Sequence, residues 1–208
     1  MQNLIASAQA YVKRLMGFAL KLITKPGEFF RTMPKTGGVR EPLVYILLAV
    51  WLDVLLISIE TFVKHGVGGN NLAILLGSLI IFPIIGAILS FFIGGIFYTA
   101  WSFMGSKENY ETSYRCLAYM QILVPITIML SFVPYLGLLG IAWWFYLMLA
   151  ATRIVHGLPI KHALLVFGGV AALSGLIYYV SVSSSIEAKE HLQEFTEELQ
   201  KMPSKSRW

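Results

Sequence analysis

The chain has 208 residues, 57% of them hydrophobic and 13% charged, with a net charge of +5. Soluble proteins carry roughly 25% charged residues, so this composition excludes a soluble enzyme and a disordered chain together. Cys116 is the only cysteine, which excludes an intrachain disulfide framework and a cysteine-based zinc site.

The charge is concentrated at one end. Residues 1–42 hold Lys13, Arg14, Lys21, Lys25, Arg31, Lys35 and Arg40 against Glu28 and Glu41, so the whole excess precedes the apolar part of the chain. Basic charge beside a membrane span reads as orientation and as contact with anionic lipid headgroups. No aromatic-interleaved basic groove or base-reading motif accompanies it, so nucleic acid is not an expected partner. Lys13, Arg14 and Lys21 also interrupt any signal-peptide core.

In chain order, residues 1–24 are expected to form an amphipathic helix. Leu4, Ala8, Tyr11, Leu15, Ala19 and Leu22 share one face, while Gln9, Lys13, Arg14 and Lys21 lie largely off it. Such a helix either lies in the membrane interface or packs on the inner side of its own protein. Pro26 and Pro34 then frame at most two helical turns, with Phe29, Phe30 and Met33 on one side.

Between Lys64 and Lys107 stand 42 residues without Asp, Glu, Lys or Arg, and 37 more separate Arg115 from Arg153. A spanning helix needs ~20 apolar residues, so the chain is expected to dissolve its middle in lipid. Span one is placed at about Leu43–Val63. Leu72–Met104 would be ~50 Å as one helix, too long to cross upright and too short for two crossings. It is read as one long helix, tilted or kinked, in which residues 72–82, before Pro83, either span or lie at the interface. Pro134 halves the second run into spans at about Thr112–Phe132 and Tyr135–Val155, and a fifth is placed at about Lys161–Val182.

Five crossings put the termini on opposite sides. An N-terminus inside puts eleven basic residues on the inner side and five on the outer, as the positive-inside rule favours. The N-terminus is therefore expected in the cytoplasm and the C-terminus outside. In the tail, residues 183–208, Ala188, Leu192, Phe195, Leu199 and Met202 form a heptad-like stripe between glutamates. Packing on the same protein and pairing with a second copy both fit it.

Asp53 stands near the middle of span one, where an acid costs about 2.5–3.5 kcal/mol to insert. An intramembrane acid is by default a functional-site hypothesis. Glu60 is expected on the same face, and Arg115 opens span three nearby. Two readings stay open: a polar clasp between helices, or a proton or cation pathway. Gly86, Ser90 and Gly94 on span two, and Gly168, Ala172 and Gly175 on span five, make small-residue faces for close helix packing. That packing is internal to one chain or builds a homo-oligomer. The four histidines are scattered, and no Gly-x-Ser-x-Gly, His-Glu-x-x-His, phosphate-loop or dinucleotide pattern occurs. No enzyme activity, metal or cofactor is expected.

The ordered motifs resemble the Yip family, membrane proteins named for binding Ypt/Rab GTPases. They are Pro26-Gly27-Glu28-Phe29-Phe30, the segment Gly105–Arg115, Val133-Pro134-Tyr135-Leu136-Gly137, and Trp143 followed by His156-Gly157. The resemblance implies an all-α, five-span fold over residues 25–182 with a cytosolic N-terminus. The eukaryotic branch carries a long cytosolic N-terminal domain, whereas here a short amphipathic helix is expected in its place. It looks more like the bacterial members, so a GTPase partner is not expected and the bacterial inner membrane is. The leading expectation is a non-enzymatic protein that organises membrane or partners. The alternative is a small transporter or lipid-moving protein using Asp53 and Glu60.

Overall fold

A chain crossing hydrocarbon must satisfy every backbone N–H and C=O internally, and long apolar runs do so as helices. The computed structural model describes residues 13, 14, 16–66, 68–133, 135–169, 171, 172, 176 and 180, and the regular structure among them is all helical. Residues 16–24 form α1. Then come α2 (Pro26–Thr32), α3 (Arg40–His65), α4 (Gly69–Phe103), α5 (Tyr110–Met120), α6 (Leu123–Ser131) and α7 (Gly137–Ile154). A shorter apolar helix, α8, covers Ile160–Gly169.

Four stretches are long and apolar enough to cross a membrane: α3, α4, the joined α5–α6 stretch Tyr110–Ser131, and α7. Against the expected five crossings, four stand among the described residues. The segment expected as the fifth overlaps α8 at its start, and most positions after Gly169 lie outside the described residues. Residues 1–12 and the whole heptad-like tail lie outside them too. The chain divides into units Met1–Ala163 and Leu164–Trp208. The bundle of α1 to α7 belongs to the first.

The long apolar run is one helix of 35 residues with Pro83 inside it. Among its residues only Pro83, Gly94 and Trp101 are buried, while Ile80, Ile84, Ile88, Phe92 and Ile96 all face outward. That much exposed hydrocarbon on one helix fits lipid as the surrounding solvent.

The expected small-residue face of α4 is used inside this chain. A Cβ on Gly86 would lie 3.0 Å from Val50 of α3, and one on Gly94 would lie 2.9 Å from Tyr114 of α5. Between them, the Ser90 hydroxyl meets the Tyr114 hydroxyl at 3.1 Å. Gly168 and Ala172 fall in the second unit, and Gly175 lies outside the described residues.

The turn between α6 and α7 depends on small residues as well. Pro134 itself is outside the described residues, but Tyr135 takes a left-handed φ of 68°. Two glycines of α7 face α6: a Cβ on Gly137 would come within 3.2 Å of Ser131, and one on Gly140 within 2.8 Å of the Thr127 Cβ.

Candidate functional site

At the end of the bundle that carries α1 and α2, polar groups are gathered around one buried cation. Asn109 caps α5 by accepting the Thr112 amide at 2.9 Å, which sets the helix so that Arg115 points into the protein. Arg115 is 1% exposed. Its guanidinium donates to the Gly38 carbonyl at 2.6 Å, to the Tyr119 hydroxyl at 3.3 Å and to Glu111, one turn earlier, at 3.2 Å. Glu111 in turn accepts the Gly38 amide at 2.7 Å. A buried charge is tolerated only with such a set of partners. Gly37, at φ 121°, lets the loop pass the guanidinium, because a Cβ there would lie 3.0 Å from Nη2.

A second polar layer lies beside it. The His156 ring stacks on Trp101 with centroids 4.0 Å apart, and its Nδ1 bonds Ser106 at 2.8 Å. The Trp101 indole donates to Thr152 at 2.8 Å. Burial pushes the His156 pKa down to about 4, with Glu108 pulling upward and Lys35 downward, so the ring is neutral near pH 7. Gly157, at φ 65°, supplies the left-handed turn after it. Lys35 reaches across from the α2–α3 loop to Glu108 at 2.6 Å. The tryptophan marked in the sequence, Trp143, lies on an exposed face of α7 beside Tyr146.

The inward face of α1 packs through Leu22, which is 1% exposed, and Phe18, whose ring meets three others in edge-on or tilted contact. Those neighbours are Phe29, Tyr45 and Tyr119, at 6.1, 6.3 and 5.9 Å between centroids. Phe29 and Phe30 of α2 are buried in the same layer. On α1 the opposite side is also apolar: Met16 is 68% exposed and Leu20 64%. Lys21 is drawn to Glu28 at 2.9 Å, and that hydrogen-bonded ammonium lowers the Glu28 pKa.

The acid of span one lies elsewhere. Asp53 lines a cavity of ≈400 Å³ between α3 and α4. Its Oδ1 is buried without a hydrogen-bond partner among the described residues. Glu60 lines a different cavity, of ≈280 Å³, together with Lys64, Ser131 and Phe132, and bonds Lys64 at 2.5 Å. Arg115 is committed to Glu111 and the Gly38 loop. The three residues singled out in the sequence thus occupy three separate places. No clasp partner for Asp53 stands among the described residues.

Several residues of these sites escape a reading of the sequence. Glu111 is legible as an i−4 partner of Arg115. Phe18 borders the apolar stripe of the N-terminal helix, one turn before Leu22, but is not among the residues that define it. Trp101, Thr152 and Gly38 carry no local signal, since their partners lie about 50 to 77 residues away. Among the described residues no group of three or more His, Cys, Asp or Glu could hold a metal ion.

A family model described as the Yip1 domain matches residues 20–182. No curated protein and no solved structure matches the chain. The matched segment contains all four membrane-length helices, the Arg115 clasp and the His156-Gly157 turn. The chain belongs to the Yip1 family, as a membrane protein built of apolar helices.

Proposed function

We propose that this Yip1-family protein is a non-enzymatic organiser of the membrane it spans, its basic end set against anionic headgroups of the cytoplasmic leaflet. The carrying observation is how α1 and α2 are held. Phe18, Leu22, Phe29 and Phe30 fasten them to the bundle, while Lys13, Lys25, Arg31 and Arg40 stay exposed. Those four make no ion pair among the described residues. Each basic residue near an anionic surface contributes about 1 kcal/mol, so together they favour such a surface by roughly 4 kcal/mol. Met16 and Leu20 stand outward beside them, placed to enter the headgroup boundary as a shallow wedge.

The test uses the full chain reconstituted in vesicles containing a fluorescent anionic lipid, with energy transfer from a labelled protein reporting local enrichment. Enrichment is expected to fall with salt and to drop several-fold in the double variant Lys25→Glu, Arg31→Glu, with thermal stability unchanged. Replacing Met16 and Leu20 by Asn is expected to remove a preference for small vesicles and to keep the charge-driven enrichment. A wild-type protein that neither enriches anionic lipid nor prefers curved vesicles would sink the reading.

A further inference from the structure

The cavity at Asp53 has a chemical bias that does not depend on the basic platform. Its walls are mainly hydrocarbon, including Val54, Ile57, Leu75 and Phe82. Of its four neutral polar side chains, Ser58, Thr61, Asn71 and Ser78, the first three already donate one hydrogen bond. Ser58 gives its proton to the Val54 carbonyl at 2.7 Å, Thr61 to Ile57 at 2.9 Å, and Asn71 donates to Gly66 at 2.9 Å. Ser58 and Thr61 therefore keep only acceptor lone pairs, whereas Asn71 keeps one N–H and Ser78, which also lines the cavity, its hydroxyl proton. Asp53, with its orphaned Oδ1, is the strongest acceptor among them. Asp53, Ser58 and Thr61 succeed one another along α3 over ~12 Å of helix rise, ending near the α3–α4 turn.

Anions are repelled by such a lining. Calcium or magnesium needs six or more oxygens at about 2.0–2.6 Å, which a mostly apolar space of ≈400 Å³ does not offer. The volume falls in the range of small-molecule sites, roughly 300–1,000 Å³. We propose that this cavity binds an amphipathic ammonium, its charged head on the Asp53 carboxylate and its apolar body against α3 and α4. The ammonium is supplied either by an aminolipid headgroup or by a free lipophilic amine.

The full chain in nanodiscs of choline lipid is titrated with radiolabelled octylammonium, and binding to protein-free discs is subtracted. Saturable binding is expected, with no competition from octanol or octanoate. Asp53→Asn should weaken it at least tenfold. Ser78→Leu, which fills the cavity and keeps the acid, should do the same and covers the case in which the first variant misfolds. Lys25→Glu with Arg31→Glu should leave binding unchanged, which separates this site from the platform. Probe binding that fades when the discs contain phosphatidylethanolamine assigns the site to an aminolipid; persistence assigns it to a free amine. Non-saturable binding, equal competition by octanol, or undiminished binding to the Ser78→Leu protein overturns the proposal.

Discussion

The Trp51 indole donates its N–H to the Leu79 backbone carbonyl at 2.9 Å, and Leu79 stands four residues before Pro83. In an α-helix that carbonyl would accept the amide of residue 83, and proline has none. A side chain of α3 thus takes the place of the hydrogen bond that α4 cannot make. The same stretch of α4 is where Val50 meets Gly86 and where the Asp53 cavity opens. The proline therefore costs little, joins the two helices, and leaves space beside the joint.

Trp51→Phe should lower stability by about 0.5–1.5 kcal/mol, the range of interhelical hydrogen bonds in membrane proteins. Pro83→Ala returns an amide to Leu79, so Trp51→Phe should cost less in that background. A double-mutant cycle on unfolding in mild detergent reads the coupling directly. Additive effects would mean that the indole contributes packing alone.

Arg115→Leu removes the buried cation and leaves the half-buried Glu111 and the exposed Gly38 carbonyl without their donor. Losing hydrogen bonds to a charged group typically costs about 1.5–3 kcal/mol, and a loss of that order is expected in thermal or chemical unfolding. The loop at residues 34–38 should also become more sensitive to limited proteolysis in the folded protein. Arg115→Lys should rescue only part of the loss, because an ammonium cannot reproduce the planar fork.

Four membrane-length stretches are legible because charge-free runs of that length have one physical solution, and Pro83 stays inside its helix without dividing it. The depth of Arg115 is not. Counting basic residues assigns it to a side of the membrane, but only the fold brings the Gly38 carbonyl and Tyr119 around it. The facing of α1 is ambiguous for a different reason. Phe18 with Leu22 and Met16 with Leu20 form two apolar stripes on one short helix, and periodicity alone cannot say which meets the bundle. Asp53 stands out by its cost in hydrocarbon, whereas its surroundings depend on how Pro83 and Trp51 set α4 against α3.

Gly140 and Gly17 should respond in opposite directions to the same change. A Cβ at Gly140 would collide with Thr127, whereas one at Gly17 meets nothing within 4 Å. Gly140→Ala should destabilise by about 1–3 kcal/mol through overpacking, and Thr127→Gly should restore part of it. Gly17→Ala should instead stabilise α1 by up to about 1 kcal/mol through helix propensity. Paired melting curves of the variants check both signs.

His156 should make the protein less stable as the solution is acidified. Its pKa is about 4 in the fold, against an ordinary value of 6.5, so the unfolded chain binds the proton first. As pH falls from 6.5 toward 4, the unfolded state gains protonation that the buried ring refuses, and stability declines. Above that window the residue contributes no slope. Below it both states are charged and the loss levels off, at a total on the order of 3 kcal/mol. Unfolding midpoints measured across this window should fall for the wild type and flatten for His156→Gln, which keeps a polar side chain near Ser106. Because the ring stacks on Trp101, tryptophan emission should change over the same range if the imidazole charges before the bundle opens. A variant whose acid sensitivity matches the wild type would place the titrating group elsewhere.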